Sequence, residues 1–482
     1  MTSKLTQSII ECGSAFQAIA SSRCELGLGS RIDDEDTPQK RSKNNNLVQA
    51  FFRYIWQTQP AIFRSCRDSC VDKECPLFKA ICMDWDDIAQ LLHHCVESSS
   101  YAPLFFQDGN PVTDPGTSYA NNPHAAYLDG CSIIVNHADC HHQIIANLCN
   151  NLQETFPHVY ANSYLSPPDS HAVNAHADDR DVLVVQVCGS KKWKVYKRVP
   201  IEYPFENEQV GKNGLEVDSS VFAGGLCFGN KDLTLSEGDV LYLPRGFVHE
   251  ASTHIQNAPT VTSEVVEPSF HITLAIATHD WCTATVLSEA IRKTLSGNPE
   301  FRKALPVGPC SEYGGSDLLK EELDCAMSFI QTSVTAKLLH EELTNKYSTH
   351  NSRARELRRN IATRKRPLVE EEDCVGYWAA SRLALDSVVR VSSAEERNSV
   401  VLEEGRLRGL TVREETMQTL MTMVRVMKET PLLKIRVKNL RSITTPNETS
   451  CSINQMICDF TLLSFARCCV ELGAWAIDEK NG

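Results

Sequence analysis

Residues 174–197 read NAHADDRDVLVVQVCGSKKWKVYK, and the fold turns on how they are taken. VLVVQV is a β-branched run, Gly189-Ser190 is a turn, and WKVYK resumes as a second strand, so the stretch is a hairpin. His176 and Asp178 stand two apart at the mouth of its first strand. In an extended chain such residues project from one face, so an imidazole and a carboxylate there can reach one metal ion.

A third ligand must come from a neighbouring strand. The segment GDVLYLPRGFVHEA, residues 238–251, offers His249 at its end. Two histidines and one carboxylate form the facial triad typical of non-haem iron(II) chemistry, with three positions open. A chelating co-substrate can take two of these and dioxygen the third. A dicarboxylate co-substrate would need a cation at its distal end. Lys191, Lys192 and Lys194 all lie close by, and spacing does not choose among them. HxD by itself discriminates poorly, since His137-Ala-Asp139 repeats the three letters of His176-Ala-Asp178. Context separates the pairs. His137 leads into CHHQIIANLCNNL, which has helical spacing, whereas His176 leads into a strand. His137, Asp139, His141 and His142 are therefore expected at the surface, and His171 at a rim.

Around this centre, CSIIVN, DLTL, VLYLP and HITLAIA also read as strands between about 130 and 281. Many short strands without alternating helices indicate a barrel or sandwich. NNLVQAFFRYIWQTQPAIF predicts a helix ended by Pro60. MDWDDIAQLLHHCV predicts another, capped by Asp84 or Asp86. Beyond 282 the pattern is helical again, with joints at EEED near 370 and SSAEERNS near 393. The end of the chain reads helix (EETMQTLMTMVRVMKE), short strand (LLKIRVKNL), helix (INQMICDFTLLSFARCCVELGAW).

At 482 residues the chain holds about three structural units. Four segments are expected: a poorly ordered tail at 1–46, a strand-rich domain at 47–281, a helical region at 282–395 and a small C-terminal domain at 396–482. Residues 24–46 are polar and charged. No run of eighteen apolar residues occurs, which argues against a spanning helix. The N-terminal stretch lacks the clean apolar core of a secretory signal, and Glu11 counts against a transit peptide. A net charge of −13 disfavours binding to a phosphate backbone and suits a basic protein partner. The 20 cysteines are scattered and form no CxxC pair. Cys66, Cys70 and Cys75 lack zinc spacing, so buried thiols in a reducing compartment are expected. PQKRSK and the denser RARELRRNIATRKRP, residues 353–367, read as nuclear-import signals or as solvated charge.

The stretch ANSYLSPPDSHAVNAHADDRDVLVVQVCGSKKWKVYK resembles the Jumonji C domain of the ribosomal oxygenases. These are iron(II)- and 2-oxoglutarate-dependent protein hydroxylases. Asn162, Tyr164, Ser166-Pro167-Pro168, His176, Asp178, Gly189, Lys191 and Trp193 match its signature. The segment ending in His249 resembles the family's last-histidine segment, and SFHITLAI, with Ser269, His271 and Thr273, its final core strand. Looser echoes, FFRYIWQTQPAIFR, FRKALPVG and the C-terminal ELGAWAI, carry the likeness over most of residues 47–482.

The resemblance implies an α+β chain built on a double-stranded β-helix. It adds a helical dimerisation region, hence a homodimer, and a degenerate winged helix that packs protein and not nucleic acid. It implies Fe(II) on His176, Asp178 and His249, and 2-oxoglutarate anchored by Lys191. It offers Asn162 for co-substrate contact and Tyr164 and Ser269 for substrate contact. The implied reaction is histidyl hydroxylation of a ribosomal protein in the nucleus or nucleolus, with the cytoplasm as the alternative. Lysine demethylation of a histone tail by the same centre is the second reading, and a silent cupin-like scaffold the third. The segment between Tyr196 and Asp232 is longer than the family core needs, and TVTSEVVEPS before His271 is unusual.

Overall fold

The computed structural model describes residues 16, 19, 23–28, 47–65, 82–97, 101–112, 122–171, 173–212, 214–229, 232–253, 268–305, 315–359, 380–393, 414–443, 457–471 and 473–478. Cys66, Cys70, Cys75, PQKRSK, EEED, residues 360–367, the joint beyond Ser393 and nearly all of TVTSEVVEPS lie outside them.

Twelve strands build the core. They are β1 (Arg23–Leu26), β2 (Ala61–Arg64), β3 (Leu104–Gln107), β4 (Asn110–Pro111), β5 (Ser132–Val135), β6 (Val159–Ser166), β7 (Asp181–Cys188), β8 (Ser190–Val195), β9 (Leu233–Ser236), β10 (Val240–Leu243), β11 (His249–Ser252) and β12 (Ser269–Ile276). One sheet has the order β1-β2-β10-β7-β12-β6-β5-β3-β4, and a small one has the order β11-β8-β9. Every named pairing is antiparallel.

The large sheet is buried on both faces at its central strands β7 and β12, and β7 accordingly reads as a nearly continuous apolar run. Leu183, Val185, Ile272, Leu274 and Tyr242 join a core with the helices behind. Val182, Val184, Tyr160 and Ala275 face Trp193, Val195 and Leu235 of the small sheet. The expected double-stranded β-helix is this pair of facing sheets.

Behind the sheet lie α1 (Leu47–Tyr54), α2 (Trp85–Glu97), α3 (Pro123–Leu128) and α4 (Gln143–Leu152). Asp84 caps α2 as expected, its Oδ1 accepting from Asp87 N at 2.9 Å, while Asp87 Oδ2 accepts from Asp84 N at 3.1 Å. Next along the chain come α5 (Thr283–Gly297), α6 (Gly315–Ser333), α7 (Ala336–Arg359), a short strand β13 (Val388–Val391), α8 (Glu414–Glu429), β14 (Ile435–Arg436), α9 (Asp459–Glu471) and β15 (Trp475–Ile477). The last three strands form a sheet of their own. The C-terminal part is not detached: Phe460 packs edge-on to Tyr127 at 4.8 Å, and His124 Nδ1 meets Ser464 Oγ at 3.0 Å. No helix among the described residues is long and apolar enough to cross a membrane. Cys95, Cys131, Cys149, Cys227, Cys468 and Cys469 are buried free thiols.

Three expectations need correction. The helix that begins at Leu47 stops at Tyr54, and the residues after Pro60 form β2, because Ala61–Arg64 pair with β1 on one side and β10 on the other and bury Ile62 and Phe63. The tail is not uniformly without structure, since Arg23–Leu26 pair with β2 and Phe16 and Ile19 are fully buried. LLKIRVKNL yields only the two-residue strand Ile435–Arg436 before a 3₁₀ turn.

A fourth correction concerns the residues placed at the surface. Asp139, His141 and His142 are buried. Asp139 Oδ2 accepts from Arg358 Nε at 2.7 Å and its Oδ1 from Ala161 N at 3.0 Å. Arg358, itself 2% exposed, also donates to Asn150 Oδ1 at 2.8 Å, to Gln153 Oε1 and to the Val159 carbonyl. Arg358→Met would strand the Asp139 carboxylate in the interior. It should cost about 3–5 kcal/mol of stability by urea unfolding, whereas a loss under ~1 kcal/mol would mean the pair bears little load.

Candidate metal centre and its cavity

His176 and Asp178 precede β7, and His249 opens β11. The His176 and His249 backbones exchange two hydrogen bonds, N to O at 3.0 and 2.9 Å, which bring the rings to a centroid distance of 4.5 Å. Asp178 Oδ1 lies 3.9 Å from His176 Nε2, and Oδ2 lies 3.7 Å from His249 Nε2. The three donor atoms fall within 4.8 Å of one another.

Each imidazole is oriented by its other nitrogen. His176 Nδ1 sits 2.7 Å from the Asn174 carbonyl and His249 Nδ1 3.0 Å from the Phe247 carbonyl. A carbonyl only accepts, so Nδ1 carries the proton and Nε2 keeps its lone pair for the centre. Burial, with Lys212 and the His249 ring behind it, pushes the His176 pKa down, and burial also lowers that of His249. Burial works against the Asp178 charge, but Lys212 and the two imidazoles outweigh it and hold the carboxyl below its usual range. Neutral imidazoles and an ionised carboxylate are the donor set a divalent cation requires.

The other HxD pair is also within reach of itself, as His137, Asp139 and Cys140. There both carboxylate oxygens are already taken by Arg358 and Ala161 N.

The triad opens on a cavity of about 470 Å³, counted with its opening to solvent. Val173, Val182, Val184 and Ala251 make its apolar walls; Tyr164, Lys191, Trp193, Glu250, His271 and Thr273 supply the polar groups. Strand alternation chooses among the lysines. Lys191, Trp193 and Val195 point inward on β8, while Lys194 points out and pairs with Glu250 at 3.1 Å. Lys191 is 3% exposed, and its Nζ donates to Ser166 Oγ at 2.8 Å. Among the described residues no carboxylate lies within ion-pair distance of it, and burial drops its pKa to about 7. Trp193 Nε1 and His271 Nδ1 are buried without a hydrogen-bond partner. An unpaired ammonium and two idle ring nitrogens lining one cavity suit an anion.

Tyr164 lines the cavity, stacked on His271 at 4.7 Å and 4°. Asn162 and Ser269 are not brought to its wall. Asn162 Oδ1 accepts from His137 N at 3.1 Å, and Ser269 Oγ accepts from Gln186 Nε2 at 2.9 Å. His171 bridges to Ser252 outside the triad. His271, Thr273, Trp193 and Lys212 were not among the expected site residues. Alternation along SFHITLAI and SKKWKV carries the signal for the first three; Lys212 has none.

A family model for the JmjC domain matches residues 134–272. That span holds both sheets' central strands and all three triad residues. Residues 134–272 thus match the JmjC domain. Its cupin-type core is the pair of facing sheets. The bifunctional lysine-specific demethylase and histidyl-hydroxylase NO66 of Drosophila sechellia is 32% identical over 194 residues, 38% of this chain and 26% of that protein. Its counterpart in Drosophila willistoni is 27% identical over 278 residues, 55% of this chain and 32% of that protein. The chain thus matches about a third or less of the length of these relatives. The ribosomal oxygenase YcfD of Escherichia coli aligns over 89% of this chain and 98% of its own, with 14% identity and a TM-score of 0.39.

The lone buried lysine has a measurable signature. Between pH 7 and 10 the unfolded chain keeps a proton on Lys191 that the folded chain has released, because the folded pKa lies below the ordinary 10.5. Stability of the ligand-free wild type should therefore rise with pH through that window, so the advantage of Lys191→Met over it should be greatest below pH 7 and shrink towards pH 10. Urea unfolding at several pH values tests it; parallel profiles would exclude a buried, unpaired ammonium.

Proposed function

We propose that the chain is an Fe(II)- and 2-oxoglutarate-dependent protein hydroxylase that acts on a histidine of a ribosomal protein. The observation that carries this reading is the pairing, in one cavity of a JmjC domain, of a two-histidine, one-carboxylate centre with a buried lysine that has no counter-ion among the described residues. Iron(II) with 2-oxoglutarate and dioxygen supplies the oxidant that inserts one oxygen atom into a C–H bond, releasing succinate and carbon dioxide.

The chain's own residues do the positioning. His176, Asp178 and His249 hold the ion. Lys191, steadied by Ser166, receives the distal carboxylate of 2-oxoglutarate. Tyr164 and His271 form a rigid stacked wall against which the substrate side chain lies. Val173, Val182, Val184 and Ala251 keep water out, which strengthens each electrostatic contact inside. Asn162, two residues before Tyr164 on β6, is held by the His137 N–H and supports that end of the cavity.

The net charge of −13 suits a basic protein target, a ribosomal protein or a histone tail alike. Demethylation is the second reading, favoured by the double name of the relatives. In the assembly we read residues 282–395 as a dimerisation region. Leu318, Leu323 and Met327 of α6 stand exposed and support a homodimer. The sheet of β13, β14 and β15 with α8 and α9 supports a winged-helix-like module at the C-terminus. The basic residues 353–367 favour a nuclear or nucleolar location.

The decisive experiment is succinate release by the Fe(II)-loaded chain with 2-oxoglutarate and oxygen, with and without a ribosomal protein fraction, and then mass spectrometry of that fraction. One added oxygen on a histidine is expected. Formaldehyde release without a stable oxygenated product would favour demethylation, and no turnover despite bound iron would favour a scaffold. His176→Ala or Asp178→Ala should abolish succinate release. Lys191→Ala should raise the 2-oxoglutarate requirement roughly 10- to 100-fold, the scale of one charge-assisted hydrogen bond, with metal binding retained.

A further inference from the structure

Between β8 and β9 the chain makes a long excursion, and part of it lies directly against the metal ligands. Ala177, between the two ligands of the HxD pair, donates its N–H to the Val210 carbonyl at 2.8 Å. Gly211 comes next, at φ +81, where a Cβ would meet the Ala175 carbonyl oxygen at 2.3 Å and His176 Cα at 2.7 Å. Only glycine fits so close an approach with that backbone. Gly211 N–H donates to the Leu215 carbonyl at 2.6 Å and Leu215 N–H to the Lys212 carbonyl at 3.0 Å, closing a tight turn.

That turn delivers one side chain to the centre. Lys212 Nζ donates to Asp178 Oδ1 at 2.6 Å, the same oxygen that faces His176 Nε2. The lysine side chain is 35% exposed, whereas Asp178 is 17% exposed. Among the described residues no other lysine or arginine lies within ion-pair distance of this carboxylate. The ammonium is thus held by backbone contacts to the ligand segment itself, and its stem reaches solvent.

We propose that Lys212 is a built-in counter-ion of the metal centre, neutralising Asp178 when no metal is bound and yielding the carboxylate to a divalent cation. This deepens the proposed function and rests on its assignment of the triad. Two positive charges on one carboxylate repel each other, so loading is an exchange of cations and not a simple addition. The contact with Lys212 holds the Asp178 carboxylate beside the two imidazoles, so the donor set stays assembled before loading. The same contact weakens metal affinity, because the ammonium must first be displaced into the solvent its stem already touches.

Titration calorimetry of Mn(II), a redox-silent probe, into the full chain without 2-oxoglutarate tests the exchange. Lys212→Met and Lys212→Gln should each bind Mn(II) about tenfold more tightly than the wild type, while Lys212→Arg, which keeps the charge, should stay within about twofold of it. Unchanged or weaker binding by both neutral variants, with wild-type circular dichroism, would overturn the proposal. Asp178→Ala separates the two levels. If it retains wild-type Mn(II) affinity, the triad assignment itself is wrong; if it loses binding while the neutral variants show no gain, only the role of Lys212 falls.

Discussion

Two backbone hydrogen bonds between His176 and His249 carry more of this molecule than any other contact. They join the segment that leads into β7 of the large sheet to β11 of the small one. They thereby close the space between the sheets at one end. Because each histidine stands at the bridge, the same pair of bonds sets both imidazoles side by side with Asp178 beneath them. A slip of one residue would turn every side chain of β11 to its other face and take His249 out of the cavity. Closure of the core and assembly of the centre are one event.

Around that bridge the charges are arranged as a gradient. Asp178 is the half-buried anion at the mouth, compensated by Lys212 from a loop. Lys191 is the buried cation farther in, with a hydroxyl for company and no carboxylate. An uncompensated charge in an apolar cavity is costly, so a fold retains one where a ligand supplies the partner. The walls between the two are valines and rings, which lengthens the reach of each charge by excluding water. The centre is therefore polar at both ends and dry in the middle, a shape suited to a small dianion lying between a metal and an ammonium.

The back of the sheet answers a different demand. Asp139 has the sequence setting of a ligand, yet it is a structural anchor, fully engaged by Arg358 from α7 and by the backbone of β6. Through it the helical region is bolted to the strand that carries Tyr164. Nothing in the letters His-Ala-Asp distinguishes an anchor from a ligand. The difference lies in the next element of the chain: a helix sends Asp139 behind the sheet, and a strand sends Asp178 in front of it.

The hairpin expected of VLVVQV and WKVYK does not form, because β7 pairs with β10 and β12 in the large sheet and β8 with β11 and β9 in the small one. Short-range pattern in the chain was enough for the two strands themselves and for grouping His176 and Asp178 with His249. These rest on the period of two in a strand and on the contrast between β-branched and helical runs, both local properties. The strand-rich core between flanking helices was legible for the same reason. Contacts distant in the chain settled the rest. The residues after Pro60 form a strand, Arg23–Leu26 belong to the sheet, and Asp139 is buried, each because of a partner far away along the sequence. Hydrogen bonds from His137 and Gln186 engage Asn162 and Ser269, and no local signal foretells them. Lys212 reaches Asp178 across 34 positions, since a backbone hydrogen bond and a glycine without room for a side chain leave no trace in spacing.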